Sequence, residues 1–262
     1  MLPLAGSEIP ASPDALAAAL KDGLAARGLA ARDVTARGAW PALDSLRLDL
    51  TGSQISRSQR FAFAEKTRAG GFTAAQFELV AAPAELESAP VHVSLRAEQC
   101  AFEFAPAANG ELLVVIRHAA HGHVAIEMAR VDFERLLHSL AAEAARERGV
   151  DVKSTKIQVS SRGPRAISVS AEVTAKMFIA TTTMTLGGDL DIDEHFNARL
   201  SNLQFRGDGM IGNIAGAIIR PQLTQLEGRT IPLMSFALGE ISLRDVQLDA
   251  GEPLRLSAQF GS

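Results

Sequence analysis

Three histidines, His118, His121 and His123, fall within the segment HAAHGH and form the one cluster in the chain with metal-like spacing. On an extended strand His121 and His123 share a face and His118 points to the other, because side chains alternate. The three imidazoles converge only if the chain turns at Gly122. No Asp, Glu or Cys motif accompanies them to complete a tetrahedral site. They read as exposed strand or turn histidines, and no metal is expected. The acidic run Asp189, Asp191, Asp193 and Glu194 alternates with Leu190 and Ile192, which is how a solvated strand face looks. Calcium loops need glycine-bracketed turns and a bidentate glutamate at a fixed offset, and both are missing.

Other chemistry is equally thin. The chain has no Gly-x-Ser-x-Gly elbow, no P-loop and no dinucleotide glycine pattern. Arg206-Gly207-Asp208-Gly209-Met210 precedes a helix but lacks the lysine and spacing of a phosphate loop, so it reads as a turn in which Asp208 can cap that helix. The single cysteine, Cys100, cannot form an internal disulfide and reads as a small buried hydrophobe. No catalytic residue or cofactor is assigned, and the chain is not expected to be an enzyme. An enzyme acting on lipid or glycan would rest on the histidines alone.

Composition narrows the partners. With 47% hydrophobic and 21% charged residues in 262, the chain is an ordinary globular one. Tyrosine is absent, aromatic content is 5% and net charge is −4. That leaves neither stacking platforms nor clustered cations for nucleic acid. No run reaches the roughly 18 apolar residues of a membrane-spanning helix, and the first residues lack the basic and apolar regions of an export signal. The chain is therefore expected either to be cytoplasmic or to have its targeting segment outside this sequence.

The elements that must position any site follow from periodicity. Residues 1–12 are expected to form a flexible leader and 13–262 a single elongated domain. Ser12-Pro13-Asp14 opens a helix to Ala26 with Leu16, Leu20 and Leu24 as its stripe and Gly28 as its stop. Leu46, Leu48 and Leu50 alternate as a half-buried strand. Asn109-Gly110 is the best hairpin signal, joining Ala101–Phe104 to Leu112–Arg117. Phe133, Leu136, Leu137, Leu140, Ala141 and Ala144 trace one face of a helix running to Arg148, capped by Asp132 and stopped by Gly149. Strands follow at Val152–Val159 and Ile167–Val173. Lys176–Leu186 reads as one long strand, and Gly187-Gly188 as a turn into Asp189–Asp193.

A third helix, Ile211–Leu226, is apolar almost all round up to Arg220 and carries Gly212, Gly216 and Pro221. It needs apolar partners about most of its girth. Helix followed by alternating strands thus occurs three times.

The stretch "DVTARGAWPALDSLRLDLTG" resembles the opening of a bacterial family of small tubular lipid-binding (TULIP-type) proteins. So do "NARLSNLQFRGDG", the helix "MIGNIAGAIIRPQLTQLEG", and the ending "IPLMSFALGEISLRDVQLDAGEPLRLSAQFG" with Pro232 and Gly239. The resemblance implies an α+β fold, a highly curved antiparallel sheet wrapped round long amphipathic helices, and an elongated lipid pocket. It also implies a secreted, periplasmic or lipid-anchored setting, and it brings no catalytic residues. The expected function is non-enzymatic binding and transfer of long-chain acyl lipids, with contact at a membrane surface. Phe133, Leu137, Leu140, Val169, Val173, Ile179, Met184, Ile214, Ile218 and Leu223 are expected to line the cavity, and Arg220 and Arg229 to meet a headgroup. The rival is a structural or protein-interaction module with a filled core, part of an envelope assembly.

Overall fold

The structure, a computed structural model, describes residues 2–55, 70–107, 110–146, 151–177, 180–193, 197–232 and 243–261. Contacts divide the chain into two compact units. One comprises Met1–Glu127 with Met234–Asp245 and Leu256–Ser262, the other Met128–Leu233 with Val246–Arg255. In chain order the elements are β1 (Leu2–Pro3), α1 (Pro13–Ala26), β2 (Asp33–Ala39), β3 (Ala42–Asp49), β4 (Gln54–Ile55), β5 (Gly71–Leu86), β6 (Ala89–Pro106), β7 (Leu112–His118) and β8 (His121–Met128). Then come α2 (Arg130–Arg146), β9 (Asp151–Gly163), β10 (Ala166–Met177), β11 (Ala180–Ile192), β12 (Asn197–Gly207), α3 (Gly209–Leu226), β13 (Thr230–Pro232), β14 (Leu243–Asp249) and β15 (Leu254–Phe260).

This is not a sheet wrapped round long helices. The helices have 14, 17 and 18 residues, whereas β5 and β6 have 16 and 18. A strand residue rises about 3.3 Å and a helical one about 1.5 Å. The longest strands therefore span roughly twice the length of any helix, and no helix is an axis for them. Each helix instead packs on strands: α1 on β2, α2 on β9, and α3 on β12 and β11.

The first unit is built on a ten-stranded sheet in the order β14-β15-β8-β6-β5-β3-β2, with β4 beside β5, β7 beside β6 and β1 beside β7. It is mixed rather than antiparallel, because β3 and β4 both run parallel to β5. The hairpin expected at Asn109-Gly110 is present as Ala101–Pro106 against Leu112–His118, although Asn109 itself lies outside the described residues. The leader is not loose: Leu2 and Pro3 pair with Val114 and Leu113, and Leu4 is buried. Ser12 caps α1 as expected, its Oγ accepting from the Ala15 N–H at 3.2 Å. Leu16, Leu20 and Leu24 are buried. Gly23 has a specific reason to be glycine, since a Cβ there would lie 2.4 Å from the Pro3 carbonyl oxygen.

Aromatic rings fill this unit. Phe72 stacks on Phe102 with centroids 4.7 Å apart and on Trp40 at 5.6 Å, while Phe77 meets Phe102 edge-on at 5.4 Å. Phe260 lies over Gly122, where a Cβ would come within 2.0 Å of the ring. Cys100 is fully buried among them, and burial pushes its thiol up to about 11.

The second unit is a five-stranded antiparallel sheet in the order β13-β12-β11-β10-β9. Its helix α2 starts three residues earlier than the sequence suggests. Asp132 therefore sits in the first turn, accepting from the Arg135 guanidinium at 2.5 Å, rather than at the cap. Gly149 lies outside the described residues. Asp208 occupies the N-cap of α3 but makes no side-chain capping bond. Arg130 ties the start of α2 to the Val246–Arg255 segment, donating to the Ala250 carbonyl at 2.5 Å and to that of Val159 at 3.4 Å.

The expected strand Lys176–Leu186 and the expected turn at Gly187-Gly188 are both corrected. The chain reverses between β10 and β11, whose register pairs Met177 with Ala180, and β11 continues straight through both glycines. Gly188 faces Leu203, whose Cδ2 would stand 2.5 Å from a Cβ there and would have to shift to admit one. Leu203 reaches that position because a bulge in β12 sets Asn202 and Leu203 opposite Gly188, with Asn202 at φ 53°.

Candidate functional site

The apolar face of the five-stranded sheet is where the sequence-derived residues collect. Cross-strand register places Val173 opposite Met184 and Thr155, Ala171 opposite Leu186 and Ile157, Val169 opposite Gly188 and Val159, and Ile167 opposite Leu190. Both helices lie on this face. His138 of α2 bonds Thr155 Oγ1 through Nδ1 at 3.0 Å, and Ile219 and Leu223 of α3 pack on a cluster of Ala175, Met184 and Phe205.

The face is sealed at the α3 end, where Val173, Ala175 and Met184 are buried, and Ile157, Val159, Ile192 and Ala198 on the same face are buried as well. Ile167, Val169, Ala171, Leu186 and Leu190 stay half-buried along the middle strands, in the stretch leading towards the β9–β10 turn. A strip of five aliphatic side chains thus keeps part of its surface in water, and burying such surface stabilises by about 25 cal/mol per Å².

Next to the sealed end, a groove of about 470 Å³ opens between β12 and α3, lined by Leu203, Gln204, Phe205, Arg206, Arg220, Leu223, Thr224 and Glu227. Close approach of helix to strand shapes it. A Cβ on Gly212 would stand 2.3 Å from the Gly207 carbonyl carbon, and one on Gly216 would stand 3.0 Å from the Phe205 ring. The two glycines, unfavourable in a free helix, let α3 rest directly on β12. Glu227, at the end of α3, accepts from the Asn202 and Leu203 N–H groups at 2.9 and 2.8 Å and so fixes the bulge. Among the described residues no carboxylate pairs with Arg206 or Arg220. The groove therefore offers two exposed cations above an apolar floor.

The opposite face of this sheet is polar. Asp189 accepts from Asn202 Nδ2 at 2.6 Å and from Ser168 Oγ at 2.5 Å, with Arg162 3.1 Å away. The Asn202 bond first, then the Ser168 bond and the Arg162 charge, hold its carboxyl below the usual range.

In the first unit, a shallow concavity of about 530 Å³ gathers Glu78, Arg96, Glu98, His121, His123 and Gln259 on the sheet surface. The register sets His121 opposite Glu98 and His123 opposite Arg96, while His118 ends a different strand. Among the described residues no three His, Cys, Asp or Glu side chains are placed to hold a metal ion. No helix there is long and apolar enough to cross a membrane.

Of the residues expected to bind lipid, Val173 and Met184 are packed core, Leu223 joins core and groove, and Val169 belongs to the half-buried strip. Phe133 and Leu137 are half-buried on α2, either side of buried Leu136. Arg220 lines the groove, whereas Arg229 is an exposed residue beyond α3 whose carbonyl accepts from the Leu200 N–H. The side chains of Leu140, Ile179, Ile214 and Ile218 lie outside the described residues. Sequence reasoning missed Ile167, Ala171, Leu186, Leu190, Phe205 and Arg206. The alternation of β10 carried the signal for the first two, and the strand taken through Lys176–Leu186 concealed the rest of β11. No protein-family model, curated protein or solved structure matches the chain.

Proposed function

We propose that the second unit binds the acyl chain of an anionic lipid, with no catalytic step. The half-buried aliphatic strip of β10 and β11 carries the reading. The tail lies along Ile167, Val169, Ala171, Leu186 and Leu190, and the headgroup meets Arg206 and Arg220 in the adjoining groove. Magnitudes decide how much the arginines matter. A fully enclosed ~14-carbon chain would contribute about 10 kcal/mol at about 0.8 kcal/mol per methylene. An open strip desolvates one side, roughly half of that, which association costs largely offset. Useful affinity then needs the charge-assisted contacts of the two guanidiniums.

Native mass spectrometry and organic extraction of the purified protein test this. The expected result is a co-purifying anionic lipid in the wild type and its loss in Val169→Lys and in the Arg206→Ala/Arg220→Ala double variant. Absence of extractable lipid, together with no uptake of a fluorescent fatty acid, would overturn it. One observation favours the rival reading, an interaction module with a filled core. Ala175, Met184, Phe205, Leu186, Ile219 and Leu223 already pack on one another, and the rings of the first unit leave their core closed. On that reading the strip is covered by protein, and extraction yields nothing.

A further inference from the structure

The polar face of the five-stranded sheet carries a second concavity, about 340 Å³, that the lipid reading does not use. Its floor is laid out by register. Gln158, Ser170, Gly187 and Gln204 form one row across β9, β10, β11 and β12, and Ser160, Ser168, Asp189 and Ser201 form the next. At the centre of the first row stands a glycine that the fold does not explain. A Cβ on Gly188 would displace Leu203, but a Cβ on Gly187 would meet nothing nearer than the Val169 carbonyl oxygen at 3.9 Å. Its φ is not positive, so no turn or left-handed backbone demands it either. A glycine inside a strand weakens it and often marks a bulge or a place where a ligand or another backbone approaches closely. Here Gly187 keeps regular pairing with Gln204, while the β12 bulge falls beyond it.

The wall beside this notch is preorganised. The β12 bulge turns Asn202 into the left-handed region and aims its amide at Asp189, which Ser168 also bonds. Bulges and strained polar residues of this kind re-aim side chains next to functional sites. The chemistry of the lining selects the ligand. The one charged group in the lining, Asp189, is already engaged by Arg162, Asn202 and Ser168, so the site offers no free charge to select an ion. What remains at the rim is Gln158, Gln204, Ser160 and Ser170, amides and hydroxyls that both donate and accept. That set matches a polyhydroxy ligand, whose every hydroxyl also does both. The volume is at the small end for ligand sites, the size for one ring of a chain rather than a large molecule.

We propose that this notch binds an uncharged sugar unit of a glycan, with the ring seated over Gly187 and its hydroxyls bridged by Gln158 and Gln204. The notch touches Val169 and shares Gln204 with the arginine groove, but Gly187 at its floor lies on the face of the sheet opposite the Val169 side chain.

The test is binding of the full chain to immobilised unbranched gluco-, manno-, galacto- and N-acetylglucosamine oligosaccharides, with isothermal titration of any series retained. At least one series is expected to bind. Gly187→Val, which fills the notch with a good strand former, is expected to weaken binding about tenfold or more, with thermal stability unchanged or raised and lipid retention unchanged. Gln158→Ala, which lies outside the arginine groove, is expected to weaken binding comparably, and it decides the matter should the valine variant fail to fold. The proposal is overturned if no series binds the wild type, or if binding survives the substitutions that fold.

Discussion

The two sheets of this protein treat their apolar faces differently. In the first unit the side chains that meet are aromatic: Trp40, Phe72, Phe77, Phe102 and Phe104 stack or meet edge-on, and Phe102 and Phe104 are essentially sealed from solvent. In the second unit the described aromatic rings are Phe133 and Phe205, and the middle of the sheet is aliphatic and half-exposed. A ring buries 150–250 Å² and closes the space between a sheet and what covers it. Val, Ala and Leu on a flat strand leave that space open. The unit with fewer described rings is the one whose middle strands stay half-exposed.

The largest effect should come from breaking the sealed face. Phe102→Ala removes a ring that Phe72 and Phe77 both pack on and should cost about 3–5 kcal/mol. Trp40, the chain's one tryptophan, stacks on Phe72 and reports that loss by fluorescence in a denaturant titration. A cost under about 1 kcal/mol would mean that the rings are not what closes this core.

The second unit has a comparable weak point of another kind. Gly212→Val puts branched carbons where a Cβ alone would stand 2.3 Å from the Gly207 backbone. It should lift α3 off β12 at a cost of about 1–3 kcal/mol and open the arginine groove. Circular dichroism melts measure the first effect and lipid extraction the second. Unchanged stability would show that α3 is not seated by its glycines.

The smallest effect is electrostatic. Asp189 is held below its ordinary value of 3.8, so its contribution to stability is fully present above that value and lost as pH falls through the lower folded one. Asp189→Asn should be less stable than the wild type near neutral pH, and the gap should close as pH drops below about 3.8. Melting temperatures across pH 2–7 (roughly the span the linkage requires) check it. A gap that stays constant would mean that the bonds, not the charge, matter.

Much of this architecture can be read from residue order. The Ser12 cap, the Leu16-Leu20-Leu24 stripe, the hairpin after Phe104 and the alternation of Ile167, Val169, Ala171 and Val173 all lie within a few residues of one another and obey helix or strand geometry directly. Two signals misled. Gly187-Gly188 resembles a turn, but one glycine admits Leu203 and the other opens a notch. The true reversal after Met177 falls within a β-branched, threonine-rich run that carries no glycine or proline. Leu2 and Pro3 read as tail because their partners, Val114 and Leu113, lie more than a hundred residues away.

The sequence by itself determined which side chains share a face, because alternation along a strand and the 3.6-residue turn of a helix are set by covalent geometry. It therefore determined that a polar row and an apolar row run along β10. Tertiary structure alone decided which of those rows would be covered. That outcome rests on the β12 bulge that swings Leu203 over Gly188 and the Gly207–Gly212 contact that seats α3. Each joins backbone segments whose approach depends on distant packing, and no local period encodes such an approach.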